Sequence, residues 1–322
     1  MPQTCLSVRN LRVGLPDPEG RMLTVVRDIG FDIPDNGFHA LVGESGCGKS
    51  VTAMALTRLP PVVAPARVSG RVLFRGIDLL SLSAARLRQM RRRGGIAYVF
   101  QDPMSALNPV LTVGLQLREA CPRDRSRTDC EARLADLLRA VGFPEPAAVL
   151  RAYPCELSGG MAQRVCIAMA MAQEPALLVA DEPTTALDVI TQRMVLDSMK
   201  ALCTASGTAV LLITHNLLLV SQYARTVSVL YAGQCIEDGP TAEVLSHPFH
   251  PYTSALLAAV PRLTGPREPH PIPGRVPLPS EWSDTSCSFA PRCSRCDAGM
   301  PCAATRFAKG NHSCFCAKPM VE

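Results

Sequence analysis

The sequence predicts an α/β fold built on a mainly parallel sheet with helices outside it. Three short segments are apolar almost throughout, as expected of strands buried on both faces: residues 38–42, 176–181 and 209–215. Segments with helical periodicity separate these strands along the chain. Strands and helices that alternate in this way form a parallel sheet flanked by helices.

Two weakly alternating stretches surround the turn-rich residues 14–21. Apolar side chains recur at alternate positions in residues 4–13 and again in 25–33. This pattern predicts antiparallel strands that lie beside the parallel core. A further short strand and turn are predicted over residues 68–80.

The middle of the chain is predicted to be mostly helical. Helices are expected over residues 83–93 and 190–205, and residues 95–101 are expected to form a strand that ends in a polar glutamine. Residues 110–172 are rich in helical patterns, and 128–141 carry a clear apolar stripe.

The first buried strand runs into a glycine-rich loop whose spacing matches G-x-x-x-x-G-K-[ST]. Glycines allow several main-chain N–H groups to point at one phosphate, Lys49 can reach the β- and γ-phosphates, and the Ser50 hydroxyl can hold Mg²⁺. A helix predicted over 50–57 adds the partial positive charge of its N-terminus. The loop therefore predicts an ATP and Mg²⁺ site, whose candidate residues are Gly43, Glu44, Ser45, Gly46, Cys47, Gly48, Lys49, Ser50 and Val51.

Polar side chains follow three of the predicted core strands. Asp181 can act on Mg²⁺, and Glu182 can polarise the attacking water. Gln101 can contact both Mg²⁺ and that water, and His215 can donate a hydrogen bond to the γ-phosphate. The simpler alternatives are an acidic pair that caps a strand and a structural histidine. Glu182, His215 and Gln101 are the candidate catalytic residues, and Ser50, Gln101 and Asp181 the candidate Mg²⁺ ligands.

A second predicted anion site begins at Ser158, where Ser158-Gly159-Gly160 precedes the helical run 161–173. The exposed N–H groups of this helix end favour an anion. One ATP has a single terminal phosphate, which Lys49 already serves, so the second site is explained if it faces ATP bound to another chain. An ordinary helix N-cap fits the same residues.

Together these residues resemble the ATP-binding cassette family over residues 4–245. The motifs are the phosphate loop, Gln101-Asp102-Pro103, and the segments 157–164, 178–183 and 185–188, followed by His215. The resemblance implies a P-loop nucleoside triphosphatase fold and a head-to-tail dimer with two ATP molecules between the cassettes. Lys49 of one chain and the segment Ser158, Gly159, Gly160 and Gln163 of the other would grip each nucleotide, with Asp188 at the dimer seam.

Two positions depart from the family pattern without touching phosphate: Ala162 stands where arginine is frequent, and Asn216 where aspartate is frequent. Residues 12–15 also offer no aromatic side chain to stack on adenine. The base contact is therefore open, whereas the triphosphate contacts are all present.

A narrower resemblance, to the bacterial oligopeptide, dipeptide and nickel importer branch, rests on the segments 101–109, 181–189 and 250–253 and on a cysteine-rich tail. It implies a translocating ATPase that pairs with a second ATPase subunit, either different or identical. Two transmembrane permease subunits would dock at residues 101–109, and an extracytoplasmic solute-binding protein would feed them. The ATPase would lie at the cytoplasmic face of the inner membrane and power the uptake of peptides, nickel or metal chelates.

The predicted domains are a nucleotide-binding domain over residues 1–245, with a helical subdomain at about 102–172, and a C-terminal extension over 246–322. The extension contains a proline-rich stretch, 261–279, and then six of the fourteen cysteines within its last 36 residues. Disulfides there would conflict with a cytosolic ATP site, so a metal is favoured.

The cysteine spacing leaves Zn²⁺ and an iron–sulfur cluster both open. The family resemblance implies [4Fe–4S], with Cys287, Cys293, Cys302 and Cys314 as ligands and Cys296 as the main substitute. Cysteines that simply pack in the extension are the alternative.

Composition disfavours other classes of protein. The net charge of +5 is too small to indicate nucleic-acid binding, no apolar run reaches the roughly 18 residues that cross a bilayer, and residues 1–10 show no signal peptide. The rival hypothesis is a soluble cassette ATPase that acts on nucleic acid or ribosomes. Such proteins usually carry two cassettes or a long coiled coil, and this chain has one phosphate loop and no heptad run.

Overall fold

The computed structural model describes residues 3–59, 66–91, 94–122, 125–185, 187–260, 270–282, 286–296, 305–316 and 319–320. Its strands are β1 Thr4–Pro16, β2 Met22–Pro34, β3 Phe38–Val42, β4 Arg67–Phe74, β5 Ile77–Asp78, β6 Ile96–Val99, β7 Leu177–Asp181, β8 Ala209–Thr214, β9 Thr226–Tyr231, β10 Gln234–Pro240, β11 Arg306–Lys309 and β12 His312–Phe315. Its α-helices are α1 Lys49–Thr57, α2 Ala84–Arg91, α3 Pro103–Ala106, α4 Val113–Ala120, α5 Arg127–Ala140, α6 Pro146–Arg151, α7 Gly159–Ala172, α8 Val189–Ser206, α9 Leu217–Tyr223, α10 Thr241–Ser246 and α11 Pro251–Ala258.

The chain forms two compact units, and each is discontinuous in sequence. The P-loop unit comprises Leu6–Asp32, Phe38–Leu80 and Ile213–Glu322, and the helical unit comprises Met1–Cys5, Ile33–Gly37 and Ser81–Leu212. This division differs from the predicted boundary between residues 245 and 246, because the C-terminal extension lies in the same compact unit as the phosphate loop. The predicted linker 261–279 falls partly outside the described residues.

The P-loop unit contains the predicted antiparallel strands. Its strand order is β5-β4-β1-β2-β10-β9-β3, with β1 antiparallel to β4 and β3 parallel to β9. Leu6, Val8, Leu11 and Val13 of β1 are buried, which is the apolar alternation that the sequence predicted. The strand β3 ends at Val42, and the phosphate loop connects it to α1.

The helical unit contains the strands β8-β7-β6, of which β6 and β7 pair in parallel. Every residue of β7 and β8 is buried, in agreement with their apolar sequences. The helix α7 packs against α3, α4, α5 and α8, and its buried residues include Val165, Ile167 and Met171. The predicted strand over 95–101 is shorter, at Ile96–Val99, so Gln101 lies in the connection after it.

Glu237 ties the extension to the last long strand of the cassette. Its carboxylate, only 1% exposed, accepts the main-chain N–H groups of Phe249 at 2.6 Å and His250 at 3.0 Å, and His312 Nε2 lies 2.7 Å from its Oε1. The His312 ring also stacks on Phe249, with 3.7 Å between centroids. Two segments of the extension, at 249–250 and at 312, thus share one buried side chain of β10, which is why they fold together with the P-loop unit.

The aromatic side chains of the extension continue the core of this unit. Tyr231 of β9 packs against Tyr252 and Phe289, with ring centroids 4.6 and 5.3 Å away. In the described ranges, no helix is both long and apolar enough to cross a bilayer.

Candidate functional site

The phosphate loop joins β3 to α1 in a conformation that requires glycine. Gly43 has φ +153°, and a Cβ there would collide with the carbonyl oxygen of Leu230 and with Cys47 Sγ. Gly48 has φ +99°, and a Cβ there would lie 3.0 Å from the carbonyl oxygen of Val25. The backbone can therefore curl tightly only because these side chains are absent, which fits a cradle for phosphate.

Lys49 lies inside this curl. Its side chain is buried, with the residue 5% exposed, and Nζ donates hydrogen bonds to the carbonyl oxygens of Gly43 at 2.9 Å and Glu44 at 3.0 Å. The ammonium is thus held at the N-terminus of α1, where a phosphate would contact both the ammonium and the N–H groups of the first helical turn.

Cys47 is fully buried beneath the loop, and burial raises the pKa of its thiol despite the nearby Lys49 ammonium. Its carbonyl oxygen accepts the N–H of Gly233 at 3.0 Å, so the turn between β9 and β10 supports the loop from below. The other loop residues, Ser45 and Gly46, are exposed.

His215 belongs to the same unit and is exposed directly after β8. The next residue, Asn216, caps α9 by accepting the N–H of Leu218 at 3.0 Å. The asparagine that departs from the family pattern therefore has a structural role of its own.

Asp181 ends β7 in the helical unit, where it is 5% exposed and accepts a hydrogen bond of 2.8 Å from the Tyr98 hydroxyl. Burial, together with the adjacent carboxylate, raises the pKa of Tyr98, so the phenol stays protonated and remains a donor. Tyr98 was missed by sequence reasoning. The pairing of Tyr98 with Val179 explains the contact, because Val179 and Asp181 project from the same face of β7.

Glu182 follows Asp181 with φ +45°, a left-handed conformation that non-glycine residues rarely adopt. Its Oε2 accepts hydrogen bonds from Gln101 Nε2 at 3.2 Å and from the Thr185 hydroxyl at 2.8 Å. The structure therefore brings together two of the predicted catalytic residues, Gln101 and Glu182, beside the predicted Mg²⁺ ligand Asp181.

Two of the remaining candidate residues of the helical unit, Ser158 and Asp188, cap helices. The Ser158 hydroxyl accepts the N–H of Met161 at 3.3 Å at the start of α7, and Gln163 in the same helix is buried. Asp188 caps α8 through Ile190 and Thr191, and the hydrogen bonds from Thr191 lower the pKa of this carboxyl. Gly160 lies close to Thr191, whereas Gly159 is exposed in the first turn of α7. A role of Ser158 and Asp188 toward a second chain stays a prediction.

The cysteine-rich segment surrounds one small cavity. Cys287, Cys293, Cys296 and Cys316 line it together with His250 and Phe289. Cys316 was not among the predicted ligands, and Cys314, which was, packs with Phe249 and Cys316. Cys302 lies outside the described residues, and among those described no group of three or more histidine, cysteine or acidic side chains is arranged to hold a metal ion.

Comparison with protein families gives two matches along the chain. A model described as an ABC transporter matches residues 26–185, which contain the phosphate loop, Asp181 and Glu182. A second, described as the C-terminal region of oligopeptide/dipeptide transporters, matches residues 236–302. The second match begins in β10 and extends into the cysteine-rich segment.

Curated relatives match over nearly their whole length. The chain is 42% identical over 329 residues to a probable D,D-dipeptide transport ATP-binding protein, DdpD, of Escherichia coli, covering 100% of this chain and 99% of that one. It is 43% identical over 303 residues to the dipeptide transport ATP-binding protein DppD of Bacillus subtilis, covering 92% and 90%.

A solved structure shows the same cassette fold. The dimeric, post-hydrolysis state of the ATP-binding cassette MJ0796 bound to ADP and Pi aligns with a TM-score of 0.63 at 26% identity, covering 73% of this chain and 98% of that one. The dimer and the bound nucleotide are properties of that protein.

Proposed function

Because the chain belongs to the ABC transporter family and is one of its ATPases, we propose that it powers the import of short peptides through partner permease subunits in a membrane. The observation that carries this proposal is the presence in one chain of a cassette match at 26–185 and an oligopeptide/dipeptide transporter match at 236–302. The relatives DdpD and DppD, which carry peptide transport in their names, align over both regions.

The proposed assembly is a dimer with a second ATPase subunit, attached to the cytoplasmic side of two transmembrane permease subunits and served by an extracytoplasmic solute-binding protein. Each nucleotide would contact the phosphate loop of one ATPase subunit and the Ser158 segment of the other. The exposed Met104 of the 101–109 segment and the exposed Val110 directly after it support the docking of an apolar partner there.

The proposed hydrolysis step uses the groups already described. Lys49 and the loop N–H groups bind the phosphates, Glu182 takes a proton from the attacking water, and Gln101 orients that carboxylate. Ser50, Gln101 and Asp181 carry the hydroxyl, amide and carboxylate oxygens that Mg²⁺ prefers, and the buried position of Asp181 fits a metal-binding carboxylate. Bound Mg²⁺ supplies neutralisation of the charge that develops on the phosphates.

Transport in a reconstituted system tests the proposed cargo. The chain is assembled in proteoliposomes with its second ATPase subunit and permease subunits, and ATP hydrolysis and uptake are measured with the binding protein loaded with a dipeptide, an oligopeptide or a nickel chelate. We expect one of the peptides to stimulate both hydrolysis and uptake. Stimulation by the nickel chelate alone, or uptake without ATP hydrolysis, would contradict the proposal.

For the cysteine-rich segment we propose a metal bound by thiolates, [4Fe–4S] by family resemblance or Zn²⁺ by ligand chemistry. Four cysteines line one small cavity, which adds Cys316 to the predicted candidates, and thiolates are the ligands that both groups use. The described side chains are not arranged around a metal position, so metal binding would need them to move. Protein purified without oxygen is expected to contain about four iron and four sulfide per chain, or one zinc. Protein with neither metal would leave the cysteines as packing residues.

A further inference from the structure

Glu44, the second residue of the phosphate loop, is held by two residues that lie far from it in sequence. Its main-chain N–H donates to the Tyr252 hydroxyl at 2.9 Å. Its carboxylate receives two hydrogen bonds from Arg292, one from Nη1 to Oε2 at 2.7 Å and one from Nη2 to Oε1 at 3.1 Å. Both contacts come from the C-terminal extension and lie within the P-loop unit.

The Arg292 side chain is buried and held by contacts other than those with Glu44. It is 5% exposed, and Nε donates to the carbonyl oxygen of Pro273 at 2.7 Å, while Nη1 reaches the Tyr231 hydroxyl at 3.3 Å. The guanidinium also lies over the Tyr231 ring. Each oxygen of the carboxylate therefore accepts a hydrogen bond from a different nitrogen of the planar guanidinium, which is a bidentate contact.

The charge of Glu44 explains why such a contact matters. A carboxylate in a loop that binds a polyphosphate repels its ligand, and the Glu44 side chain is only 26% exposed, so water screens it incompletely. Arg292 compensates that charge at hydrogen-bonding distance. The carbonyl oxygen of Glu44 also accepts a hydrogen bond from Lys49 Nζ at 3.0 Å, so the position of Glu44 bears on the position of the phosphate-binding ammonium.

We propose that Arg292 of the C-terminal extension is a positioning residue for ATP binding, acting through Glu44 to neutralise the phosphate loop and to hold its shape. Tyr252 supports the same residue from the main-chain side. The extension then contributes to nucleotide binding, because it supplies the residues that hold Glu44 in place. This inference concerns nucleotide affinity alone, so it stands or falls separately from the proposed peptide cargo.

The test measures MgATP affinity of the full-length chain by calorimetry, together with the KM and kcat of ATP hydrolysis in the assembled transporter. Arg292→Gln leaves the Glu44 charge uncompensated and is expected to raise the dissociation constant and KM about tenfold, equivalent to about 1.4 kcal/mol, with a smaller change in kcat. Glu44→Gln removes the charge that Arg292 compensates, so it is expected to weaken MgATP binding less than Arg292→Gln does.

The double variant Arg292→Gln with Glu44→Gln separates positioning from general stability. If Arg292 acts by neutralising Glu44, removal of both charges restores most of the affinity that Arg292→Gln loses. A purely structural arginine predicts the opposite, namely that the double variant binds MgATP as weakly as Arg292→Gln or more weakly. That result, or an unchanged KM in Arg292→Gln, would overturn the proposal.

Arg275 provides a matched control within the extension. It pairs with Glu281 through two hydrogen bonds, but its side chain is 66% exposed and the pair does not include a loop residue. Arg275→Gln is expected to leave KM unchanged. If Arg292→Gln does not fold, the double variant carries the test: it is expected within about threefold of wild-type affinity, and a tenfold loss contradicts the proposal. Arg292→Lys keeps the charge but not the planar pair of donors, so it is expected to lose part of the affinity.

Discussion

Replacement of Glu182 by glutamine is expected to lower the rate of ATP hydrolysis by about 10²–10⁴-fold while MgATP binding remains close to wild type. Glutamine keeps the size of the side chain and a carbonyl oxygen for the Thr185 hydroxyl, but it cannot take a proton from water. The contacts of Glu182 with Gln101 and Thr185 orient the carboxylate, and neither depends on the phosphate loop.

The measurement is steady-state hydrolysis by the assembled transporter, with MgATP affinity determined on the isolated full-length chain. Glu131→Gln on α5 is the control, because Glu131 is an exposed acid in the same unit that pairs with Arg127. Hydrolysis by Glu182→Gln at the rate of Glu131→Gln would remove Glu182 as the general base.

Replacement of Lys49 by alanine is expected to weaken MgATP binding on the order of 100-fold or more, because charge-assisted hydrogen bonds to two phosphates are lost together. The Lys49 ammonium is the cationic donor of the phosphate loop. The groups that surround it, the carbonyl oxygens of Gly43 and Glu44, are acceptors and cannot bind a phosphate in its place. Hydrolysis is expected to fall with binding.

Calorimetry on the full-length chain checks this expectation, with the exposed Lys309 of β11 changed to alanine for comparison. Equal MgATP affinity in the two variants would mean that Lys49 does not hold the phosphates. The unfolding temperature of both variants should also be recorded, since Lys49→Ala leaves two carbonyl groups of the loop without their donor.

The local elements of the fold were predictable because each depends on neighbouring residues. The apolar run before Gly43 formed β3, the loop curled as its glycines require, and α1 began at Lys49, one residue before the predicted helix. The predictions for α5 and α8 also agreed with the structure to within about two residues at each end, as their periodicity allowed.

Contacts between distant segments could not be read from the sequence. Tyr98 and Asp181 meet because β6 and β7 pair in one register, and the register is a property of the assembled sheet. Arg292 and Glu44 are 248 residues apart, and nothing in the sequence around either residue indicates that the two form a pair. The sequence predicts a separate extension from residue 246, and that boundary stays a prediction; in the structure the extension belongs to the same compact unit as the phosphate loop.

Ser158 and Asp188 are residues for which the sequence fits two roles, a helix cap and a contact with nucleotide or with a second chain. Serine and aspartate before a helix are strong N-caps, and both residues form such caps. The same groups are exposed, so capping within one chain leaves them accessible to a nucleotide or to another chain.

The anchoring of two segments of the extension on Glu237 has a consequence for the design of truncated versions of this protein. A version shortened before His312 would remove one of the hydrogen bonds of the buried Glu237 side chain, at a cost of about 1–3 kcal/mol. Removal of the tail is therefore not a neutral way to isolate the cassette, because lost activity in such a truncation would report damage to the P-loop unit as much as loss of the tail. Point substitutions in the tail test its role with less disturbance of the P-loop unit than truncation does.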